Sequence, residues 1–281
     1  MEALFEWIWG KGFIGKAIVI LLIAICCLIL LAVAGLVLFI IGAAIWFLFI
    51  APAQEGDFAG TVYKAYSTLT AYKGSETAIV LPATLEDKPV IYLSGFRDES
   101  GLVEEITIPD EVSLSDVGLM LNVPSLQRYH VSDTHPTLMV IDGALYTKDG
   151  KTLLSYPQGR MGEAVIPEGV EGIMTGAFNN CAISSLILPD SLQVIYANGI
   201  CNLRVLRMVE IPAGVTGFGI DAFTNTVDNA ARTQLIVTEG SPAHVWALES
   251  GVSIREVLPA QEAPAADPAE PAADPAEVPA A

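Results

Sequence analysis

Three stretches decide the fold: IPEGVEGIMTGAF (166–178), LPDSLQVIYANGI (188–200) and IPAGVTGFGIDAF (211–223). Aligned on Pro167, Pro189 and Pro212, each has an apolar residue one position before the proline and again three, six and eleven after it. The third positions are Val170, Leu192 and Val215, the sixth Ile173, Ile195 and Phe218, the eleventh Phe178, Ile200 and Phe223. A small residue, Ala177, Gly199 or Ala222, precedes the last apolar position each time. Before each proline the pattern alternates. Leu186 and Leu188 should face inward with Ile187 outward, and Val209 and Ile211 inward with Glu210 outward. Proline cannot donate to a ladder, so it should end the strand.

The prolines are spaced by 22 and then 23 residues. That period belongs to leucine-rich-repeat solenoids, in which one short strand per repeat stacks on the next. No such repeat can bury its own apolar side, so stacking must supply the core.

Working outward, VIPEGVEGIMTGAFNNC, LILPDSLQVI and VEIPAGVTGFGIDAF resemble the BspA-like leucine-rich repeats of bacterial surface proteins. The stretch 121–159 resembles that family's interrupted repeat, with Asp142-Gly143-Ala144-Leu145-Tyr146, the turn Lys148-Asp149-Gly150 and the closing Tyr156-Pro157. Asp-Gly between alternating apolar runs is an independent hairpin signal. The opening stretch YKAYSTLTAYKGSETAIVLPATLEDKPVIYLSGF is similar to the family's first repeat, so the likeness spans roughly 61–255. It departs at IPDEVSLSDVGLM, where Ser115 takes the sixth position after Pro109 and the Ala-Phe pair is missing. The resemblance implies a surface-exposed binding or adhesion role and supplies no catalytic residues.

At the far end, Ser241 as N-cap, Pro242 at the first helical position and Gly251 past the last predict a short helix. Following the strand Leu235-Ile236-Val237, it should cap the open end of the stack, with Trp246 anchoring it in the core. Residues 259–281, rich in Ala, Pro and acid and repeating AADPAE, read as a disordered tail. That tail lacks an anchoring signal for covalent attachment to a cell wall.

Before the repeats, Ala17–Ile50 runs 34 residues without a charge, Asn, Gln or Pro. About 20 apolar residues cross a bilayer as helix, so a single tilted transmembrane helix is expected. The alternatives are a helical hairpin turning near Gly35 and a signal peptide cleaved beside Ala51-Pro52-Ala53, although a signal core is only about 7–15 residues. Lys11 and Lys16 are the only basic residues ahead of the span. The positive-inside rule then places residues 1–16 in the cytoplasm and the repeats outside. Phe5, Trp7 and Trp9 suit an interfacial belt, and Cys26 and Cys27 read as small apolar fillers within the span. The expected layout is 1–16 cytoplasmic, 17–50 transmembrane, 57–258 a leucine-rich-repeat ectodomain and 259–281 a tail.

The net charge of −18, from 14 Lys+Arg against 32 Asp+Glu, argues against nucleic acid as partner. Four cysteines exclude a disulfide-built scaffold. Cys181 and Cys201 stand 20 residues apart in neighbouring repeats, within geometric reach of one another, yet buried reduced thiols are the expectation. His130, Asp133 and His135 form the one cluster with metal-ligand chemistry, and they lack the third or fourth framed ligand that a zinc site needs. With only three histidines, acid–base or nucleophilic catalysis has little to work with. No enzyme, cofactor or metal is therefore expected.

The expected interaction surface is the outward side of the strands: Thr107, Val165, Ile187 and Glu210 as neighbouring columns, with Glu105, Glu163 and Met208 beside them. Such a face is the usual binding surface of a solenoid. The expected partners are a protein or glycan at the cell surface, besides the membrane that holds the anchor. The other reading is a structural or accessory subunit that docks a membrane partner through Gly35, Gly42, Ala43 and Ala44.

Overall fold

The computed structural model of the chain describes residues 13–49, 52–93, 95–112, 114, 119, 121–203, 205–223 and 233–260. Helix α1 (Phe13–Phe49) is 37 residues long and runs unbroken through Gly35, so there is no hairpin turn there. At 1.5 Å per residue it is about 55 Å long, against a bilayer core of roughly 30 Å. Its window Ala24–Ile41 is apolar all round and none of it is buried against the rest of the chain. A helix apolar on every side has no solvated face to offer water.

Directly after it the chain enters a sheet. Strands β1 (Pro52–Glu55), β2 (Phe58–Val62) and β3 (Ser67–Tyr72) form an antiparallel meander, in register at Pro52 with Thr61 and Val62 with Ser67. The fold thus begins at Pro52, ahead of the boundary expected at 57. Strand β4 (Ala78–Val80) starts a different ladder, while β5 (Thr84–Leu85) and β6 (Lys88–Tyr92) fold back as a hairpin. Strand β6 and then β7 (Arg97–Asp98) join β3 in parallel. Strands β8 (Glu105–Thr107) and β9 (Arg128–His130) extend the ladder of β4, all parallel.

An interruption follows, as the sequence predicts. Strands β10 (Leu138–Ile141), β11 (Ala144–Thr147) and β12 (Thr152–Ser155) are an antiparallel meander. Asp142 (φ 44°) and Gly143 (φ 74°) both take positive φ in the first turn, the pair of conformations that a two-residue type I′ hairpin requires. This meander is the wall between two core clusters. Leu145 and Leu154 pack with Leu69, Phe96 and Tyr129 on one side; Ala144, Tyr146 and Leu153 pack with Phe178 and Ile195 on the other.

From there the stack is regular. Strands β13 (Gly162–Val165), β14 (Gly172–Ile173), β15 (Ile183–Ile187), β16 (Val194–Ile195), β17 (Met208–Glu210), β18 (Gly217–Phe218) and β19 (Gln234–Thr238) alternate between two walls. The short strands β14, β16 and β18 pair in parallel, beginning from β12, with Ile173, Ile195 and Phe218 side by side. Each turn therefore contributes two strands, where the proline-centred alternation predicts one. The second is only two residues long, too short for a period-2 pattern to be visible.

The proline spacing has a direct mechanical reading. Ile166 and, in the first half, Leu81 and Ile108 give their N–H to the next strand's last carbonyl, Ile211 gives its own to Ile236 within β19, and the following proline has none to give. Val112, Val170, Leu192 and Val215 then donate back to the carbonyl of the proline three residues earlier, which turns the chain into the core. The small residue ahead of the eleventh position is equally forced. A Cβ on Gly199 would stand 3.0 Å from both the Ile195 side chain and the Tyr196 carbonyl.

Helix α2 (Pro242–Ser250) forms as its caps dictate: the Ser241 side chain accepts from His244 N–H, and Gly251 takes φ 68° and donates to the Ala247 carbonyl. Ala243 and Ala247 are its buried face. The outermost element is not this helix, however. Strand β20 (Ile254–Leu258) pairs in parallel beyond β19 and is the final rung of the ladder.

Candidate functional site

The outward residues expected to form the interaction surface fall into two groups. Glu105 and Thr107 lie on β8, whose neighbours are β4 and β9, so Thr107 stands between Val80 and His130 rather than beside Val165. Glu105 is engaged within the chain: its carboxylate oxygens lie 3.6 Å from Arg128 Nε and 3.0 Å from His130 Nε2. The β10–β11 hairpin stands between this patch and the next, with the Tyr129 N–H bonded to the Gly143 carbonyl and Arg160 reaching back to Asp142.

The second group is brought together. In the β13–β15 pairing Glu163 is opposite Ser185 and Val165 opposite Ile187. In the β17–β19 pairing Met208 is opposite Gln234 and Glu210 opposite Ile236. Val165 is 57% exposed, Ile187 46% and Met208 46%, while the intervening Ala164, Leu186 and Val209 are buried. Val165 and Ile187 thus make an exposed apolar pair with Glu163 and Ser185 beside it, and Met208 and Glu210 face outward on β17, which lies next to β15 but pairs with β19. The pleat explains it: successive side chains alternate between the core and water, so apolar residues in the outward set are not needed for folding.

The remaining chemistry-bearing residues are used internally. His135 is fully buried, and its Nδ1 accepts from the N–H groups of Thr137 (3.3 Å) and Leu138 (3.1 Å). His130 faces outward on β9 against Glu105, so the two histidines do not converge. Among the described residues no group of three or more His, Cys, Asp or Glu is placed to hold a metal. Cys181 and Cys201 are free and buried. Cys181 Sγ lies 3.5 Å from the Tyr156 carbonyl and Cys201 Sγ 3.4 Å from Asn179 Oδ1. Burial pushes the Cys201 thiol up to about 11 and the Cys181 thiol higher still, so neither is a nucleophile near neutral pH.

Two features were not singled out from sequence. Gln158, almost fully buried, accepts from Val123 N–H (2.8 Å) and donates to the carbonyls of Leu121 (2.6 Å) and Asn179 (2.8 Å). One amide side chain thus clamps the irregular half to the regular half. The second is a cleft of about 510 Å³ beside α2, lined by Phe218, Ile220, Phe223, Trp246 and Val252 among others. Trp246 stacks on Phe218 at 4.5 Å between ring centroids and 15° between planes. It packs against the core as expected and also forms a wall of this cleft.

Comparison with known proteins agrees with the stacked register. Residues 156–233 match the BspA type leucine rich repeat region in six copies. A search of curated proteins found no match. Among solved structures the chain is similar to a leucine-rich repeat protein from Eubacterium ventriosum, at 13% identity and TM-score 0.42, covering 73% of this chain and 83% of that one. It is also similar to a leucine rich cell surface protein from Faecalibacterium prausnitzii, at 20% identity and TM-score 0.33, over 66% of this chain and 54% of the other. A third likeness is to the pneumococcal vaccine antigen PcpA, at 12% identity and TM-score 0.31, over 76% of this chain and 100% of that one. The chain thus carries stacked leucine-rich repeats, and within its regular half residues 156–233 are similar to the BspA type.

Proposed function

We propose that the chain is a non-catalytic binding protein, held in a bacterial membrane by α1 with its N-terminus inside, that presents the outward face of β13, β15 and β17 to a protein ligand. One observation carries this reading: Val165 and Ile187 are exposed side by side on the paired strands β13 and β15, with Met208 exposed on the neighbouring β17. Apolar side chains scattered singly over a surface are ordinary, whereas a contiguous apolar strip rimmed by polar residues suits an interface. Glu163 and Glu210 beside these apolar side chains favour a partner with basic groups around an apolar centre. Direct contacts at the centre of such a strip set affinity, and charges at its rim set orientation and approach rate.

The test is binding by cells that display the full chain, scored against purified surface proteins and against a glycan array. The expected result is a protein ligand whose binding falls at least tenfold in Val165→Glu and Ile187→Glu variants and is unchanged in Glu105→Gln. Binding confined to glycans, or insensitive to both strip substitutions, contradicts the proposal.

A further inference from the structure

The run of uncharged residues ending α1 does not stop at the helix. The first polar side chain after Lys16 that can hydrogen-bond strongly as an amide or acid is Gln54, which already lies within β1. From Phe49 at the end of α1 to Pro52 at the start of β1 the chain spans at most about 11 Å, at 3.8 Å per residue. With α1 leaving the hydrocarbon at its last apolar turn, the sheet begins in the bilayer interface.

The register of the sheet fixes which of its ends is near the membrane. Pro52 pairs with Thr61, and Val62 with Ser67, so the connection Tyr63–Tyr66 stands at the end where the chain leaves the helix. The opposite end of β1 and β2 carries Glu55 and Asp57 around the turn. At the near end the rings of Tyr63 and Tyr66 stack at 4.7 Å, and Tyr92 meets Tyr66 edge-on at 5.5 Å. All three are half-buried, with Lys64 and Ala65 exposed at the tip of the connection. Tyrosine rings and a lysine with a long apolar stem are the side chains that settle at headgroup level, one end apolar and the other wet.

We infer that Tyr63, Tyr66, Tyr92 and Lys64 form a membrane-contact patch that seats the first sheet in the headgroup layer of the bilayer holding α1. The patch makes the anchor rigid: the solenoid is clamped at the surface through two points, the helix end and the tyrosine cluster, rather than hanging from a flexible stalk. The inference rests on the reading of α1 as a membrane span.

The experiment uses the full chain in vesicles of phosphatidylcholine and phosphatidylglycerol, spin-labelled at one site at a time in a Cys26→Ser background. Cys181 and Cys201 are buried and resist labelling. Ala65→Cys and Asp57→Cys, each with Cys27→Ser, report the two ends of the sheet; native Cys27 reports the helix. The expected result is a label at 65 with the oxygen and nickel-chelate accessibilities of the headgroup layer, a label at 57 with those of bulk water, and a label at 27 in hydrocarbon. Replacing Tyr63, Tyr66 and Tyr92 together by Ala should raise nickel-chelate access at 65 severalfold while leaving 27 unchanged. A label at 65 as water-exposed as that at 57, with 27 in hydrocarbon, overturns the patch alone. A label at 27 outside hydrocarbon overturns the span and the patch with it.

Discussion

The halves 52–130 and 156–260 each have parallel outer strands but differ in their inner walls. In both, the residue before a proline hands its N–H to the next rung, as Ile108 does to His130 and Ile166 to Ile187. In the second half the inner wall repeats as the two-residue strands β14, β16 and β18. In the first half the antiparallel meander β1–β3 and the hairpin β5–β6 occupy that place. A periodic wall can continue indefinitely but is unfinished at its ends, whereas an irregular one closes the stack. The first half is therefore the end cap of the solenoid, and the second is the part that displays a repeated face.

Substitutions can break this comparison. The largest effect belongs to Phe178, fully buried and stacked on Tyr156 at 5.2 Å. Phe178→Ala should cost about 3–5 kcal/mol, and hydrogen exchange should show the loss across the whole regular half, since each turn is supported only by its neighbours. Gln158→Ala comes next. It strips partners from one N–H and two carbonyls at the junction, at about 1–3 kcal/mol for each buried group left unsatisfied. Denaturant unfolding should then separate into two transitions, one for each half; a single cooperative transition with unchanged midpoint would show that the amide does not couple them.

Smaller effects sharpen the picture. The ninth position after each proline has positive φ in all three regular repeats: Gly176 at 72°, Asn198 at 53° and Asp221 at 55°. Asn198→Val should cost about 1–2 kcal/mol because a branched Cβ resists that conformation, whereas Asn198→Gly should leave the thermal midpoint nearly unchanged. The cysteines give a pH dependence confined to the second half. The Cys201 thiol is raised by burial from 9.0 to about 11. A raised folded-state pKa means that its contribution is present below 9 and is lost as pH climbs towards 11. Thermal midpoints should fall over that window, less so in Cys201→Ala, and alkylation of Cys201 itself in the native chain at pH 8 should be slow. The least effect is expected from Glu171→Gln, which removes an exposed pair with Lys151 at 2.7 Å. Its thermal midpoint should match the parent within measurement scatter.

The same comparison explains how much could be read in advance. Prolines at 167, 189 and 212 expose the regular half because one mechanical event recurs at each. The αL position was also written in the sequence, as Gly176, Asn198 and Asp221, the residue types that tolerate positive φ; it is legible once the repeats are aligned. Strand β20 was hidden because Ile254-Arg255-Glu256-Val257-Leu258 carries no proline and follows a helix that already looks like an end. The outward direction of Val165, Ile187 and Glu210 follows from the alternation before each proline, and Val165 does pair with Ile187, whereas Glu210 pairs with Ile236 in a separate sheet. Placing Thr107 beside Val165 failed because the hairpin 138–147 is inserted between their ladders, and such an insertion has no period to betray its position in space. Ser115, where the pattern was expected to break, lies outside the described residues, while Val112 just before it still makes the regular turn. Gln158 was invisible for a different reason: a buried amide that bridges Leu121 and Asn179 depends on contacts distant in sequence.

The most direct test is protease treatment of intact cells carrying the full chain with a C-terminal tag. If α1 is a span with the repeats outside, the tag and the repeats are removed while a membrane-bound stub containing α1 persists. A tag that survives until the cells are opened contradicts the account, since the outward apolar side chains of β13, β15 and β17 would then face the cell interior.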